Sequence, residues 1–326
     1  MAEITLVEAI TQAMAYEMKA DPNVIVMGED VGKDGGVFRA TLGLLDQFGP
    51  ERVLDTPLAE SMIAGMAIGM ATQGLKPIAE FQFMGFIYPA MDQIINHAAR
   101  IRNRTRGRLS CPVVFRAPFG AGIRAPEHHS ESTEALFAHI PGLRVVIPSS
   151  PARAYGLLLA AIRDPDPVIF LEPSRLYRFA KQEVANDGKA LPLDVCFTLR
   201  RGDDVTLVTW GAMVKETLLA VDQLAETGVS VEVIDVATIK PLDMQTILTS
   251  VEKTGRCLIV HEAALTNGVG AEIAAQIAEK ALFNLKAPIE RVAGWDTIVP
   301  YARMEKYYIP SEKRIIDAVH RLMEYT

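Results

Sequence analysis

The sequence predicts an α/β protein in two consecutive domains, each a mainly parallel sheet covered on both faces by helices. Three observations carry that expectation. Short, continuously apolar runs alternate with amphipathic helical patterns along nearly the whole chain, as crossovers between parallel strands require. The alternation is interrupted once, by a polar stretch from Tyr177 to Asp203 that contains Asn186-Asp187-Gly188. The length of 326 residues, with 49% hydrophobic and 22% charged side chains, exceeds one ordinary core and suits two. The domains are placed at residues 1–190 and 200–326.

Each element follows from its local pattern. Thr5 and Glu8 have capping-box spacing, and Leu6, Ile10, Ala13, Met14 and Met18 recur on one face, which predicts a first helix. Val24–Gly28 is an apolar run ended by glycine, as in a strand buried on both faces. Arg52–Asp55 predicts a strand, Ser61–Thr72 a helix, Lys76–Phe81 a strand and Ala90–Arg102 a helix. Gly65 and Gly69 predict close packing of the Ser61–Thr72 helix. Pro112–Arg116 reads as a strand running into a glycine-rich loop. Glu134–His139 then starts a helix, Leu143–Ile147 a strand and Ala152–Arg163 a helix, and Val168–Leu171 closes the series. The Tyr177–Asp203 stretch reads as a linker. Beyond it, strands are predicted at Val205–Thr209, Val231–Asp235, Arg256–His261 and Ile289–Val292, with helices at Met213–Glu226, Gly270–Leu282 and Ser311–Met323.

Composition removes several function classes. A formal net charge of −7 gives nucleic-acid binding no electrostatic footprint, and the short basic run Arg100–Arg108 reads as a solvated helix end and loop, against an anion or acidic-partner site. Cys111, Cys196 and Cys257 lie far apart and form no CxxC, so a reducing compartment fits better than a disulfide framework or a zinc knot. The N-terminal MAEITLVEAI has neither a secretory nor a mitochondrial targeting pattern. The longest apolar stretch, Met62 to Ala71, falls far short of the roughly 20 residues that span a bilayer. The expectation is a soluble, cytoplasmic protein with neither nucleic acid nor membrane as partner. There is no GxGxxG after a strand, no P-loop, no GxSxG and no HExxH.

In parallel α/β sheets, ligands gather outside the carboxyl ends of the strands. After Val53-Leu54 comes Asp55-Thr56-Pro57-Leu58-Ala59-Glu60. Glu60 is read either as a crevice carboxylate or as a first-turn acid favoured by the helix dipole. After Ile78-Ala79 comes an aromatic-rich stretch in which Phe81 and Phe83 read as core, while Phe86 and Tyr88 follow a glycine and are suited to stack on a flat ring. The loop Ala117–Ser132 has a length usually reserved for function. Its adjacent histidines diverge and make poor joint metal ligands, so one of them is read as acid, base or hydrogen-bond donor, against a plain solvent-exposed pair. His261-Glu262-Ala263 ends a strand of the second domain and is read as structural, against a crevice contact.

Together these segments resemble the β subunits of heterotetrameric 2-oxo acid dehydrogenases, the thiamine-dependent components of the pyruvate and branched-chain complexes. The resemblance runs nearly end to end. It is carried by Met27-Gly28-Glu29-Asp30, Asp55–Glu60, Met91-Asp92-Gln93-Ile94, the loop around His129 with Pro141-Gly142-Leu143, Asp166–Pro173, Thr209-Trp210-Gly211-Ala212-Met213 and Lys240-Pro241-Leu242-Asp243.

The resemblance implies an N-terminal domain that binds the aminopyrimidine of thiamine diphosphate, followed by a transketolase C-terminal-like α/β domain. It also implies an α2β2 assembly in which the α subunit carries the GDG and Asn-Asn motif for magnesium and diphosphate; this chain lacks that motif. A dihydrolipoyl acyltransferase core with its lipoyl domain, and a small 2-oxo acid, complete the implied partners. By position, Glu60 corresponds to the glutamate at the aminopyrimidine ring nitrogen, Phe86 to the aromatic against the ring, and Leu58 and Gln82 to its other neighbours. His129 corresponds to the histidine assisting substrate or lipoyl transfer, with His128 a bystander. Val113, Ala161, Asp164 and Asp166 correspond to a structural potassium site, and Glu29 to an acidic residue near the cofactor. Pyruvate is the expected substrate, with branched-chain 2-oxo acids and acetoin as alternatives. A non-catalytic scaffold of the same fold is the reading from a different class, and the joint presence of Glu60, Phe86 and His129 weighs against it.

Overall fold

A computed structural model describes residues 2–325. The chain divides into two compact units. Residues up to Phe119 together with Leu136–Leu193 form the first, and Gly120–Ala135 together with residues from Asp194 onward form the second. The long loop after the Val114–Phe119 strand therefore groups with the C-terminal part of the chain.

In the first unit, parallel strands follow the spatial order Arg144–Val146, Val168–Pro173, Val114–Phe119, Lys76–Glu80, Val24–Gly28, Val53–Asp55. The Val24–Gly28 and Val168–Pro173 strands are buried at every residue, as a sheet covered on both faces demands. The Leu6–Ala20 helix begins with the predicted capping box, in which the Thr5 hydroxyl accepts from Glu8 N–H and the Glu8 carboxylate accepts from Thr5 N–H at 2.7 Å. It packs against the Pro151–Arg163 helix, and the buried Glu17 carboxylate accepts from the Arg163 guanidinium at 2.6 Å between them.

Three expectations are corrected. Ala90–Arg102 is not one helix: Met91–Asn96 and Ile101–Arg104 are separate α segments joined by a tight 3₁₀ turn at Ala98–Arg100. The Ala99 carbonyl there lies so close to Gly142 that a Cβ on Gly142 would stand 2.0 Å from it. The Tyr177–Asp203 stretch is no featureless linker. Gln182–Val184 pairs antiparallel with Ala2–Ile4 in the first unit, and Phe197–Arg200 pairs antiparallel with Val231–Asp235 in the second. Gly65 does face a neighbour, Gln93 Oε1 at 3.4 Å from its ideal Cβ, but Gly69 has open space where its Cβ would be.

In the second unit the strand order is Glu290–Gly294, Cys257–Ala264, Val205–Thr209, Val231–Asp235, all parallel, with Phe197–Arg200 as the antiparallel edge. The Glu312–Met323 helix buries Ile315, Ala318, Val319 and Leu322 against this sheet and keeps its charged face outward. The Met244–Thr254 helix starts at an Asp243 cap and stops at Gly255 in the left-handed conformation, φ +74°. No helix among the described residues is long and apolar enough to cross a membrane.

Candidate active site

Within the first unit, Val24–Gly28 and Lys76–Glu80 are neighbours whose connections leave in opposite directions, toward Val53–Asp55 and Val114–Phe119 respectively. That is a topological switch point, where the loops part and leave a crevice beyond the strand ends. Four predicted positions lie beyond these strand ends: Leu58 and Glu60 after Val53–Asp55, which pairs with Val24–Gly28, and Gln82 and Phe86 after Lys76–Glu80. Glu60 is the first residue of the Glu60–Thr72 helix and is half-buried, while Leu58, two residues earlier, is 72% exposed. Gln82 and Phe86 are half-buried on the segment after Lys76–Glu80. The Ser61 hydroxyl donates to the Pro89 carbonyl at 2.6 Å and ties the Glu60 helix to the Met84–Ala90 turn that carries Phe86.

The surrounding groups hold these segments. The Asp55 carboxylate accepts from Gly32 N–H at 2.6 Å, and Gln82 Nε2 donates to Asp30 Oδ2 at 3.3 Å. Burial, with the charges of Asp30 and Glu60 behind it, holds the Glu29 carboxyl above the usual carboxylate range. The buried Thr56 hydroxyl meets no partner among the described residues. An apolar side chain, an aromatic ring, an amide and a carboxylate on neighbouring segments make the mixed donor set a flat heterocycle with ring nitrogens requires, so the residues fit an aminopyrimidine. As expected from sequence, Phe81 and Phe83 are core. Phe86 meets Phe83 edge-on at 5.6 Å, and Phe83 meets Phe38 at 5.4 Å.

Beneath these aromatics lies a buried ionic cluster that the sequence reading missed. The Arg116 guanidinium donates through Nε and Nη2 to the Glu172 carboxylate, both at 2.7 Å, and through Nη1 to Glu80. All three side chains are buried, and the Tyr177 hydroxyl completes the cluster by donating to Glu172. Two carboxylates share one cation here. Burial, reinforced by the Glu172 charge, holds the Glu80 carboxyl above its ordinary range against the pull of Arg116. Tyr177 packs on Phe38 at 5.1 Å, so cluster and aromatic chain are continuous. The available signal was an acid at or next to the carboxyl end of each of two largely apolar strands, Lys76–Glu80 and Val168–Pro173.

The second unit carries the histidine loop. His129 is half-buried in the Glu127–His129 3₁₀ turn, while His128 is exposed with Nδ1 3.4 Å from Glu131. His129 thus groups with a different unit from Glu60. Nearby, Glu134 is buried and its Oε1 accepts from Trp210 Nε1 at 3.1 Å. Trp210 in turn stacks on the buried His261 ring at 5.2 Å and 8°. Burial first, then Arg291, pushes His261 down to about 4, so its ring is neutral at pH 7. Cβ atoms on Gly268 or Gly270 would each stand 2.8 Å from that ring, which accords with the structural role expected of it.

Burial, helped by the Glu262 charge, raises Glu134 from an ordinary 4.5 to about 7. Between those two values the folded protein keeps a proton that the unfolded chain has released. Stability therefore falls as pH rises through that window, by about 3 kcal/mol once the upper value is passed. Glu134→Gln should remove that slope while keeping an acceptor for Trp210. Urea unfolding at pH 5 and pH 7.5 should show the variant gaining on the wild type at the higher pH, and parallel pH dependence would refute a protonated Glu134.

Of the four residues matched to potassium, Val113 and Asp166 precede the Val114–Phe119 and Val168–Pro173 strands, while Ala161 and Asp164 lie at the end of the Pro151–Arg163 helix. The Val113 carbonyl accepts from Val168 N–H at 2.9 Å, the Ala161 carbonyl from Asp164 N–H at 3.3 Å, and Asp164 Oδ1 from Asp166 N–H at 2.8 Å. Arg144 and Arg102 already engage the Asp164 and Asp166 carboxylates at 3.1 and 2.5 Å. A hard cation here would rest on carbonyl oxygens, each of which retains a second lone pair. Arg102 and Arg104, from the basic run, are spent on Asp166 and on the Asn96 carbonyl, as expected of a helix end. No group of three or more His, Cys, Asp or Glu among the described residues is arranged to hold a metal ion.

Comparison with known proteins matches both units. The transketolase pyrimidine-binding domain family matches residues 2–180 and the transketolase C-terminal domain family residues 196–315. The pyruvate dehydrogenase E1 component subunit beta of Acholeplasma laidlawii is 51% identical over 322 residues, covering 99% of this chain and 98% of that one. The same-named subunit of Bacillus subtilis strain 168 is 47% identical over 325 residues, covering all of both. Among solved structures, a split-gene transketolase described as an inactive beta4 tetramer superposes with a TM-score of 0.82 over 99% of each chain, at 22% identity, a likeness of fold alone. With both domain families in order and relatives matched from end to end, the chain belongs to the family of pyruvate dehydrogenase E1 component beta subunits.

Proposed function

We propose that this chain is the cytoplasmic β subunit of an α2β2 enzyme that oxidatively decarboxylates pyruvate and passes the acetyl group to a lipoyl domain of a dihydrolipoyl acyltransferase core. The observation that carries the proposal is the half-buried carboxylate of Glu60 beyond the Val53–Asp55 strand, one strand from the switch point, with Leu58, Gln82 and Phe86 on the same and neighbouring segments. Thiamine diphosphate, when bound, supplies a carbon nucleophile and an electron sink for decarboxylation. Glu60 would hold a proton at the ring nitrogen of the aminopyrimidine, while Phe86 and Leu58 cover the ring and exclude water, and Gln82 orients its polar edge. His129 would hold or donate a proton during transfer to the lipoyl group. The missing GDG and Asn-Asn motif assigns magnesium and the diphosphate to the α-type partner. Val113, Ala161, Asp164 and Asp166 would hold a structural potassium ion.

The test is reduction of an artificial electron acceptor with thiamine diphosphate and magnesium present, pyruvate compared with 3-methyl-2-oxobutanoate. This chain alone should be inactive, and the chain co-expressed with its α-type subunit should turn over pyruvate in preference. Preference for the branched acid would transfer the assignment to that substrate class. Activity of the chain alone would overturn the split site.

A further inference from the structure

The segment from Gly120 to Ser132 has little regular structure, so its backbone donors need partners elsewhere. Within it, Gly120 N–H to the Glu131 carbonyl at 2.9 Å closes the segment into a ring, and two backbone bonds of 3.0 Å form the turn at His129. Two carboxylates distant in sequence grip it further. Glu262 Oε1 accepts from Ala121 N–H near the start of the ring and from the Ser132 hydroxyl, at 3.2 Å, near its end. Glu305 Oε1 accepts from Gly122 N–H at 2.7 Å and from Arg124 N–H at 3.3 Å.

Both carboxylates are buried, at 7% and 5% exposure, which makes each bond harder to replace with water. The backbone is shaped to meet them. Gly120, Gly122 and Arg124 all have positive φ, at +89°, +101° and +61°, and a Cβ on Gly120 would stand 2.8 Å from Glu262 Oε1. Ala121 is buried against Val299 and Tyr308, next to the two carboxylates. Charge-assisted bonds to backbone N–H groups are among the stronger hydrogen bonds and are geometrically demanding. A loop held at residues 121, 122, 124 and 132 leaves the turn with His129 little freedom.

We infer that Glu262 and Glu305 are positioning residues: they latch the loop and thereby fix His129, without touching the reacting atoms. The inference rests on the assignment of acyl transfer to His129 made above.

The test uses the assembled enzyme with its α-type partner and a lipoylated lipoyl domain as acceptor. Glu305→Gln and Glu262→Gln are compared with Gly122→Ala, an exposed position whose strain disturbs the loop while both carboxylates stay in place. His129→Ala is the reference. Two quantities are read: the rate of tryptic cleavage after the exposed Arg124, and the KM and kcat for the lipoyl domain. The latch variants should raise cleavage at least about 10-fold and raise KM for the lipoyl domain about 10-fold, with kcat changed less than about 3-fold. His129→Ala should lower kcat and leave cleavage unchanged. Faster cleavage with unchanged KM, while His129→Ala lowers kcat, would overturn the latch as a positioning device and leave the His129 assignment standing. Unchanged kcat in His129→Ala would overturn that assignment, and the inference with it. Unchanged cleavage in both glutamine variants and in Gly122→Ala would show that no latch exists.

Discussion

Glu60→Gln should leave the protein folded and assembled with its partner, yet lower turnover by roughly 10²- to 10⁴-fold, the range a positioned acid or base contributes. Glutamine keeps the shape and the acceptor oxygen of glutamate and lacks only the charge. At the first position of the Glu60–Thr72 helix that charge also interacts with the helix dipole. Its loss there costs about 0.3–1 kcal/mol, too little to unfold a domain. A neutral amide, however, cannot hold a proton on a ring nitrogen. Glu60→Asp restores the charge on a shorter side chain and should fall between the two. The check is steady-state turnover of the assembled enzyme, with circular dichroism and gel filtration as folding controls. Near-wild-type turnover by the glutamine variant would strip Glu60 of its role.

The second large effect is expected at Arg116. Arg116→Met fills much of the same volume but leaves Glu80 and Glu172 buried together without their cation. Removing one member of a buried ion cluster costs about 3–5 kcal/mol, largely because the abandoned charge stays desolvated. For a unit of this size that lowers the melting temperature by roughly 6–20 °C. Replacing the whole cluster, with Arg116→Met, Glu80→Gln and Glu172→Gln together, should recover part of the loss, since no charge is then stranded. Thermal unfolding decides it: a single variant as stable as the wild type would mean that the cluster does not hold the sheet together.

The two α/β units and most strand–helix boundaries were legible because burial on both faces leaves unbroken apolar runs such as Val24–Gly28, and caps such as Thr5 with Glu8 mark helix starts. The Met244–Thr254 helix, not among the predicted elements, carries the same kind of signal in the Asp243 cap, the Met244, Ile247, Leu248 and Val251 spacing and the closing Gly255. Gln182–Val184 and Phe197–Arg200 were not readable, since they sit in a polar stretch without the apolar run that marked the equally short Val53–Asp55 and Arg144–Val146. For Glu60 and Phe86, local chemistry allowed a crevice role but equally allowed a helix-dipole acid and a core ring. The resemblance, not the spacing, singled them out. The Arg116 cluster left only acids near strand ends as a signal, and the Glu262 and Glu305 bonds left none, because their partners meet only through the sheet register and long-range folding.

The ring closed by Glu262 and Glu305 has a consequence for how the chain is made. Ala121 lies 141 residues before the glutamate that holds it, and Gly122 lies 183 residues before its own. At about 5–20 residues per second of synthesis, that separation is a wait of roughly 7–37 s on the ribosome. Over that interval the strands on either side of the loop have left the exit tunnel and have their sheet neighbours available, while the loop between them has none of its carboxylate anchors. The nascent chain thus carries an unsecured tether out of an otherwise completed N-terminal sheet, and the histidine-bearing turn is among the last pieces to be fixed in place.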